Sequence, residues 1–231
     1  MSGITGFKIS LDMKKLIVLL VLLFVLMNSM AQQRFNLTFL ASPQVSWLKS
    51  VSRDVVGGRS FAGFGYGVEG DFFLMTRNYA ITTGLTLSSA GGSLTYNTSV
   101  PFNGIVLPAG TKVDYYLNFL EVPFALKMRT RDFDRTRYFA QFGLTNWFNI
   151  SAKATTYDSA RSFQKEAIND QIRFFNVGLN IGAGLEYELG HGNALTVGLI
   201  YSNGFSEATK IKGINDATTL KIVRLRLGFV F

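Results

Sequence analysis

The sequence predicts an all-β chain: an eight-stranded antiparallel up-and-down transmembrane β-barrel, preceded by a cleavable signal peptide. Three observations carry that expectation. Apolar residues alternate at period two in eight segments, the links between segments run alternately short and long, and the composition is rich in glycine and aromatics but poor in charge. Of 231 residues, 48% are hydrophobic and 14% aromatic, with 21 Phe, 23 Gly and 4 Pro. Only 16% are charged, against roughly a quarter in an ordinary soluble protein. The net charge of +8 would suit an anionic surface, but so sparse a charge argues against nucleic acid as a partner. The chain has no Cys, which excludes disulfides, thiolate metal sites, cysteine catalysis and a lipidated N-terminal cysteine.

Residues 1–31 read as a targeting segment. Lys14 and Lys15 precede an uninterrupted apolar run over 16–27, and Ser29-Met30-Ala31 supplies the small residues of a cleavage site, with the cut after Ala31. The run is shorter than the roughly 20 residues of a spanning helix. Met13 sits just before the lysine pair, so 1–12 read as an extension from an upstream start. The barrel domain is then 32–231.

The strands follow in order. Phe35, Leu37, Phe39, Ala41, Val45 and Trp47 alternate with polar residues; Ala62, Phe64, Tyr66, Val68 and Phe72 alternate with Gly63, Gly65, Gly67, Glu69 and Asp71. The third sets Tyr79, Ile81, Leu85 and Leu87 against Thr82, Gly84, Thr86 and Ser88. The fourth sets Leu120, Val122, Phe124, Leu126 and Met128 against Glu121, Pro123, Ala125, Lys127 and Arg129. Tyr138, Ala140, Phe142, Leu144 and Phe148 mark the fifth; Phe175, Val177, Leu179, Ile181, Ala183, Leu185 and Tyr187 the sixth. Leu195, Val197, Leu199 and Tyr201 mark the seventh. Val223, Leu225, Leu227, Phe229 and Phe231 mark the eighth, against Arg224, Arg226 and Gly228. Short links fall at 74–78, 130–137 and 190–193, long ones at 49–59, 89–112, 151–171 and 203–218. Short periplasmic turns and longer extracellular loops are the pattern of an outer-membrane barrel.

Alternation alone also fits a soluble barrel with the stripes turned inward. Its second face would then meet water and need lysine and glutamate. Here that face is Gly, Thr, Ser and Asn with a few clustered charges, which suits a narrow lumen. Trp47, Tyr66, Tyr79, Tyr138, Tyr187 and Tyr201 fall near strand ends, where interfacial aromatic girdles sit. The expected location is therefore the outer membrane. Eight strands enclose an interior that side chains can fill, so a wide aqueous channel is not expected.

Charged residues on the inner face gather toward the periplasmic half: Glu69, Asp71, Lys127, Arg129, Glu186, Glu188, Arg224 and Arg226, with Glu121 slightly higher. A dry interior demands that they neutralise one another, and Arg224 and Arg226 are expected to pair with Glu69 and Glu186. A structural plug is favoured over a gated ion path. The terminal stripe Leu225, Leu227, Phe229 and Phe231 resembles the signal read by the barrel-assembly machinery.

The stretch Tyr116-Leu117-Asn118-Phe119-Leu120-Glu121-Val122-Pro123-Phe124-Ala125-Leu126-Lys127 resembles the "YLEIPLLLK" strand of PorT-like outer-membrane β-barrel proteins. Ala31-Gln32 and the terminal Phe231 are similar to that family as well. The resemblance implies an eight-stranded, non-enzymatic barrel, and its namesake is an accessory of type IX secretion.

No catalytic set, metal site or cofactor is expected. The single histidine, His191, lies in the turn Gly190-His191-Gly192-Asn193 and reads as a turn residue. Glu121 has no neighbour in sequence that would make it a catalytic carboxylate. Gly63-Phe64-Gly65-Tyr66-Gly67 sits inside a strand, so it is a lumenal seam and not a phosphate cradle. The turn 130–137, TRDFDRTR, places arginines around Asp132, Phe133 and Asp134 and reads as a membrane-edge charge cluster. The expected function is thus a structural or accessory role in the cell envelope. Outer-membrane lipid, the assembly machinery and an envelope or secretion protein are the expected partners; a small porin or ligand-binding barrel is the alternative.

Overall fold

The computed structural model describes residues 35–74, 76–102, 104–157, 164–210 and 218–231; the signal peptide and its cleavage at Ala31 lie outside them. Eight long strands form the wall: β1 (Phe35–Ser50), β2 (Val55–Phe73), β3 (Tyr79–Tyr96), β6 (Thr111–Arg129), β7 (Thr136–Thr156), β9 (Phe175–Gly190), β10 (Asn193–Gly204) and β11 (Thr218–Val230). Short strands β4 (Val100–Phe102) and β5 (Ile105–Leu107) make a small hairpin, and β8 (Glu166–Ala167) adds to the edge of β7. The wall order is β6-β3-β2-β1-β11-β10-β9-β7, and β7 pairs with β6 to close the ring. Closure leaves no free sheet edge along the wall.

The closing seam is β1 against β11, running from Thr38↔Val230 to Ser50↔Thr218. Beyond it, Leu37 and Phe231 exchange both backbone hydrogen bonds, at 3.3 and 2.8 Å. Residues 218–231 thus complete the ladder with β1. Phe231 faces outward, edge-on to Phe39 at 5.5 Å and 4.7 Å from Phe229. Together they form one arc of an aromatic girdle at the end where the short turns lie.

On every wall strand the expected apolar stripe faces outward. Phe64, Tyr66, Phe72, Leu85, Leu87, Phe124, Phe142, Leu144, Leu195, Leu199, Leu225 and Leu227 are all exposed, as a lipid-facing belt requires. Inward, Ser42, Gln44, Thr82, Thr86, Gln141, Thr145 and Asn180 are buried.

The strands are longer than their apolar stripes. The link expected over 49–59 shrinks to a turn at 51–54, because β1 continues to Ser50 and β2 starts at Val55. Likewise β3 continues to Tyr96 and β7 to Thr156, well into links expected at 89–112 and 151–171. In these extensions polarity reverses. Along β6, Leu120, Phe124, Leu126 and Met128 face outward, but before them Phe119, Leu117, Tyr115 and Val113 face inward and are buried. Alternation persists while its meaning inverts, because the outside of the wall changes there from lipid to water.

Candidate functional site

The barrel interior has two parts, stacked along its axis. Toward the short turns lies a network of charge, held in layers across the lumen. The upper layer is Arg224 of β11 against Glu121 of β6, a bidentate pair at 2.6 and 3.1 Å. In the ring order these strands are diametrically opposite, so the pair spans the barrel. Below it, Arg226 lies 2.6 Å from Glu69 of β2 and donates to Gln141 Oε1 at 3.2 Å. Gln141 in turn donates to Asn180 Oδ1 (2.9 Å), and Asn180 to Thr145 Oγ1 (2.8 Å).

The lowest layer is built on Lys127. Its Nζ donates to Asp71 Oδ2 at 2.7 Å and to Glu186 Oε1 at 2.5 Å. Asp71 on β2 and Glu186 on β9 also come from opposite walls. Thr82 donates to the second Asp71 oxygen at 2.6 Å, and Arg129 Nη1 to the second Glu186 oxygen at 2.8 Å. Phe139 lies under the cations, 4.8 Å from Lys127 Nζ and 5.8 Å from the Arg226 guanidinium, while Phe73 stacks on Arg129 at 4.1 Å. Glu69, Asp71, Glu121 and Glu186 thus meet Lys127, Arg129, Arg224 and Arg226, charge for charge.

Glu186 belongs to Lys127 and Arg129, so Arg224 takes Glu121 as its partner and not Glu186; Arg226 meets Glu69. Glu188 stands apart from this network. It accepts from Arg137 Nη2 at 2.7 Å at the half-exposed rim, where Arg137 also meets Asp132.

Toward the long loops the lumen is apolar. Leu48, Val55, Leu94, Tyr96, Val113, Tyr115, Leu117, Phe119, Trp147, Leu220 and Ile222 form one buried cluster inside the wall. The loop residues Val100, Phe102, Leu107, Ile168, Ile172 and Ala208 pack into it from above. The hydroxyls of Tyr96 and Tyr115 hydrogen-bond to each other at 2.6 Å, which satisfies the polar tips of two otherwise apolar knobs. Within the charged part remains a cavity of about 20 Å³ lined by Ser42, Glu69, Glu121, Gln141, Arg224 and Arg226, among others, room for about one water.

Lumenal glycines make the aromatic knobs fit. A Cβ on Gly178 would lie 2.6 Å from the Trp147 ring, and one on Gly184 2.7 Å from the Phe139 ring. Phe139 and Trp147 do not read as lumenal plugs from the sequence, because both share the polar stripe of β7 with Gln141, Thr145 and Asn149. The signal was available in their parity.

A family model described as Outer membrane protein beta-barrel domain matches residues 30–210. The chain belongs to that family. The match ends before β11, the strand that closes the ring. As a member of the family it is an outer-membrane protein. Among solved structures it is similar in fold to Neisserial surface protein A (11% identity over 85% of this chain and 95% of that one, TM-score 0.49). Another is OprG from Pseudomonas aeruginosa (10% identity, 85% and 94% covered, TM-score 0.44). A third is Ail of Yersinia pestis with the heparin analogue sucrose octasulfate (14% identity, 85% and 99% covered, TM-score 0.38). No curated protein matches the chain.

In this barrel protein His191 occupies the tip of the β9–β10 turn at φ 56°, followed by Gly192 at φ 86°. Positive φ at both central residues is the geometry of a two-residue hairpin turn. Among the described residues no cluster of His, Asp or Glu could hold a metal ion. Leu225 and Leu227 face the lipid with Phe231. The tip of the turn 130–137 is Phe133, exposed, with Asp134 at φ 54° and Phe133 and Thr136 bonded to each other.

Proposed function

We propose that this outer-membrane barrel is a closed, non-enzymatic scaffold, a structural or accessory component of the envelope. The observation behind this reading is the double closure of the lumen: a charge-balanced network below, holding a cavity of about 20 Å³, and an apolar core above. A conducting path needs continuous water, and among the described residues side chains fill both parts. Catalysis needs a converging set of groups open to substrate; here the converging carboxylates are each held by a cation. Wild-type protein in a planar bilayer is expected to stay electrically silent, and stable single-channel steps would overturn the reading in favour of a small porin.

The finer reading is a PorT-like accessory of type IX-like secretion, supported by the β6 segment Tyr116 to Lys127 and by the long-loop end standing above the membrane. Folding by the barrel-assembly machinery is supported by the lipid-facing terminal stripe of Leu225, Leu227, Phe229 and Phe231. Crosslinking from the extracellular loops in intact cells, followed by mild detergent extraction, is expected to recover one envelope protein in stoichiometric amount. Recovery of the barrel alone would count against the accessory role.

A further inference from the structure

The outer wall is uneven above the lipid belt. Between Gly57 and Gly65 the β2–β3 ladder slips twice, and serine side chains stand in for ladder partners. Arg59 N donates to Ser93 Oγ at 2.5 Å, Phe64 N donates to Ser89 Oγ at 3.0 Å, and that hydroxyl donates to Phe64 O at 3.2 Å. At the same height β1 reaches past β2 to β3. Gly91 N donates to Ser46 Oγ at 2.8 Å and Ser46 Oγ donates to Gly91 O at 2.9 Å. A Cβ on Gly92 would lie 2.7 Å from Leu48 N. With β1 and β3 this close, the β2 segment between them is pushed outward.

The displaced segment makes one side of a groove of about 420 Å³, lined by Arg59, Ser60, Phe61, Ser89, Tyr116 and Asn118, among others. Phe61 folds over Gly91, whose absent Cβ would be 3.2 Å from the ring, and meets Tyr116 at 5.1 Å. The groove begins where the belt ends: Leu87 pairs with Leu120 and Leu120 with Phe148, and the next residues outward are Ser89 and Asn118. That is headgroup depth, and the long-loop end of such a barrel faces the outer leaflet.

The charge around the groove is mostly positive. Arg59 Nη2 donates to Asp114 Oδ2 at 2.9 Å, yet 64% of the Arg59 side chain is exposed while Asp114 is fully buried. Asp114 therefore orients the guanidinium with most of it left open. Lys165 Nζ lies 5.7 Å from the Tyr116 ring and Lys112 Nζ 5.7 Å from the Tyr157 ring. Lys153 is exposed on β7, across the ladder from Tyr116. Glu166 on β8, the residue after Lys165, stands opposite inward-facing Ala154 in the ladder. Tyr157 is turned toward Asp114, whose hydrogen bond and charge raise the phenol above its ordinary pKa and keep it neutral.

We propose that this groove binds the phosphate-bearing headgroup of an outer-leaflet lipid, with Arg59 and Lys165 on the phosphate and the Phe61–Tyr116 pair against the apolar body beside it. Guanidinium pairs with phosphate in a charge-assisted, geometrically defined way, and basic residues at a membrane edge draw anionic headgroups. The proposal is independent of whether the lumen conducts.

The test is native mass spectrometry of the full-length barrel refolded in detergent, with diphosphoryl lipid A as the probe. Wild type is expected to retain the lipid, and R59Q/K165Q to bind it about tenfold more weakly, equivalent to about 1.4 kcal/mol. K49Q/K221Q, on the β1–β11 face, is expected to match wild type. Because R59Q leaves Asp114 without its cation, K112Q/K165Q serves as a second variant that keeps the pair; it is expected to lose about threefold. Equal retention by both groove variants, equal retention of a dephosphorylated lipid A, or equal binding of inorganic phosphate alone would each overturn the proposal.

Discussion

The two halves of the lumen solve the same problem by opposite chemistry. Toward the turns, Glu69, Asp71, Glu121, Glu186 and four cations fill the interior; toward the loops, Trp147, Tyr115, Phe119, Leu94 and their neighbours fill it. The charged half is surrounded by lipid, where the wall must be apolar outside and the alternation leaves polar residues inside. The apolar half rises above the lipid, where the outside can be polar and the inside is free to be an ordinary hydrophobic core. Strands β2, β6 and β11 contribute to both, and on β6 the changeover from Phe119 to Glu121 marks the level at which the solvent outside changes. A core of the first kind depends on pairing, a core of the second on shape, so the two should break differently.

The largest expected effect is in the charged half. Replacing Lys127 by Met removes the side chain that, among the described residues, bridges Asp71 and Glu186, and leaves Asp71 with the Thr82 hydrogen bond and the more distant charge of Arg226. Breaking a buried pair at one end costs about 3–5 kcal/mol, and here two are broken, so K127M is expected at the upper end. The measurement is the urea midpoint of the refolded barrel, with heat-modifiable gel mobility as a check that it folds. The contrast comes from removing both partners of another pair: E121L/R224M is expected to lie within about 2 kcal/mol of wild type, since an apolar replacement avoids desolvating either charge. If E121L/R224M proves as damaging as E121L alone, charge pairing is not what holds this half together.

In the apolar half, Trp147→Ala should cost about 3–4 kcal/mol through the cavity it leaves. No charge is orphaned, so added salt should not alter the loss. The reverse error is smaller. Gly178→Ala places a methyl 2.5 Å from Asn203 O and 2.6 Å from the Trp147 ring, and such overpacking costs about 1–3 kcal/mol. W147F in the G178A background should recover only the part of the loss that comes from the ring, because the contact with Asn203 O remains.

The same contrast explains what could be read from the sequence. The strand number, the outward stripes and the lumenal face of the charged residues follow from parity, which each strand carries in its own residues. Partner choice does not follow. Whether Arg224 meets Glu121 or Glu186 depends on how far round the ring β6 and β9 stand from β11, and on the stagger between strands, and neither is encoded in any single strand. The upper wall was hidden for a different reason. A search for apolar-out alternation stops at Leu120, although Val113, Tyr115, Leu117 and Phe119 continue the pattern on the other face. Phe139 and Trp147 have the right parity to be lumenal, and Gly184 and Gly178, which make room for them, lie on a neighbouring strand whose register with β7 neither strand encodes by itself.

The rim supplies the smallest effect and the sharpest control. Arg137 bridges Asp132 and Glu188 at the turn end, and by residue type the cluster is the same chemistry as the Lys127 layer a few residues deeper. What differs is water. Glu188 is 36% and Asp132 64% exposed as side chains, against 1% for Glu186. Exposed pairs contribute about 0–1 kcal/mol and are screened by salt. Arg137→Gln should therefore shift the urea midpoint by less than about 1 kcal/mol, with the shift shrinking at high salt, while the K127M loss stays constant as salt is raised. A large, salt-insensitive loss in R137Q would mean that the dry interior extends to the rim, and that the boundary of the charged half lies lower than Glu186.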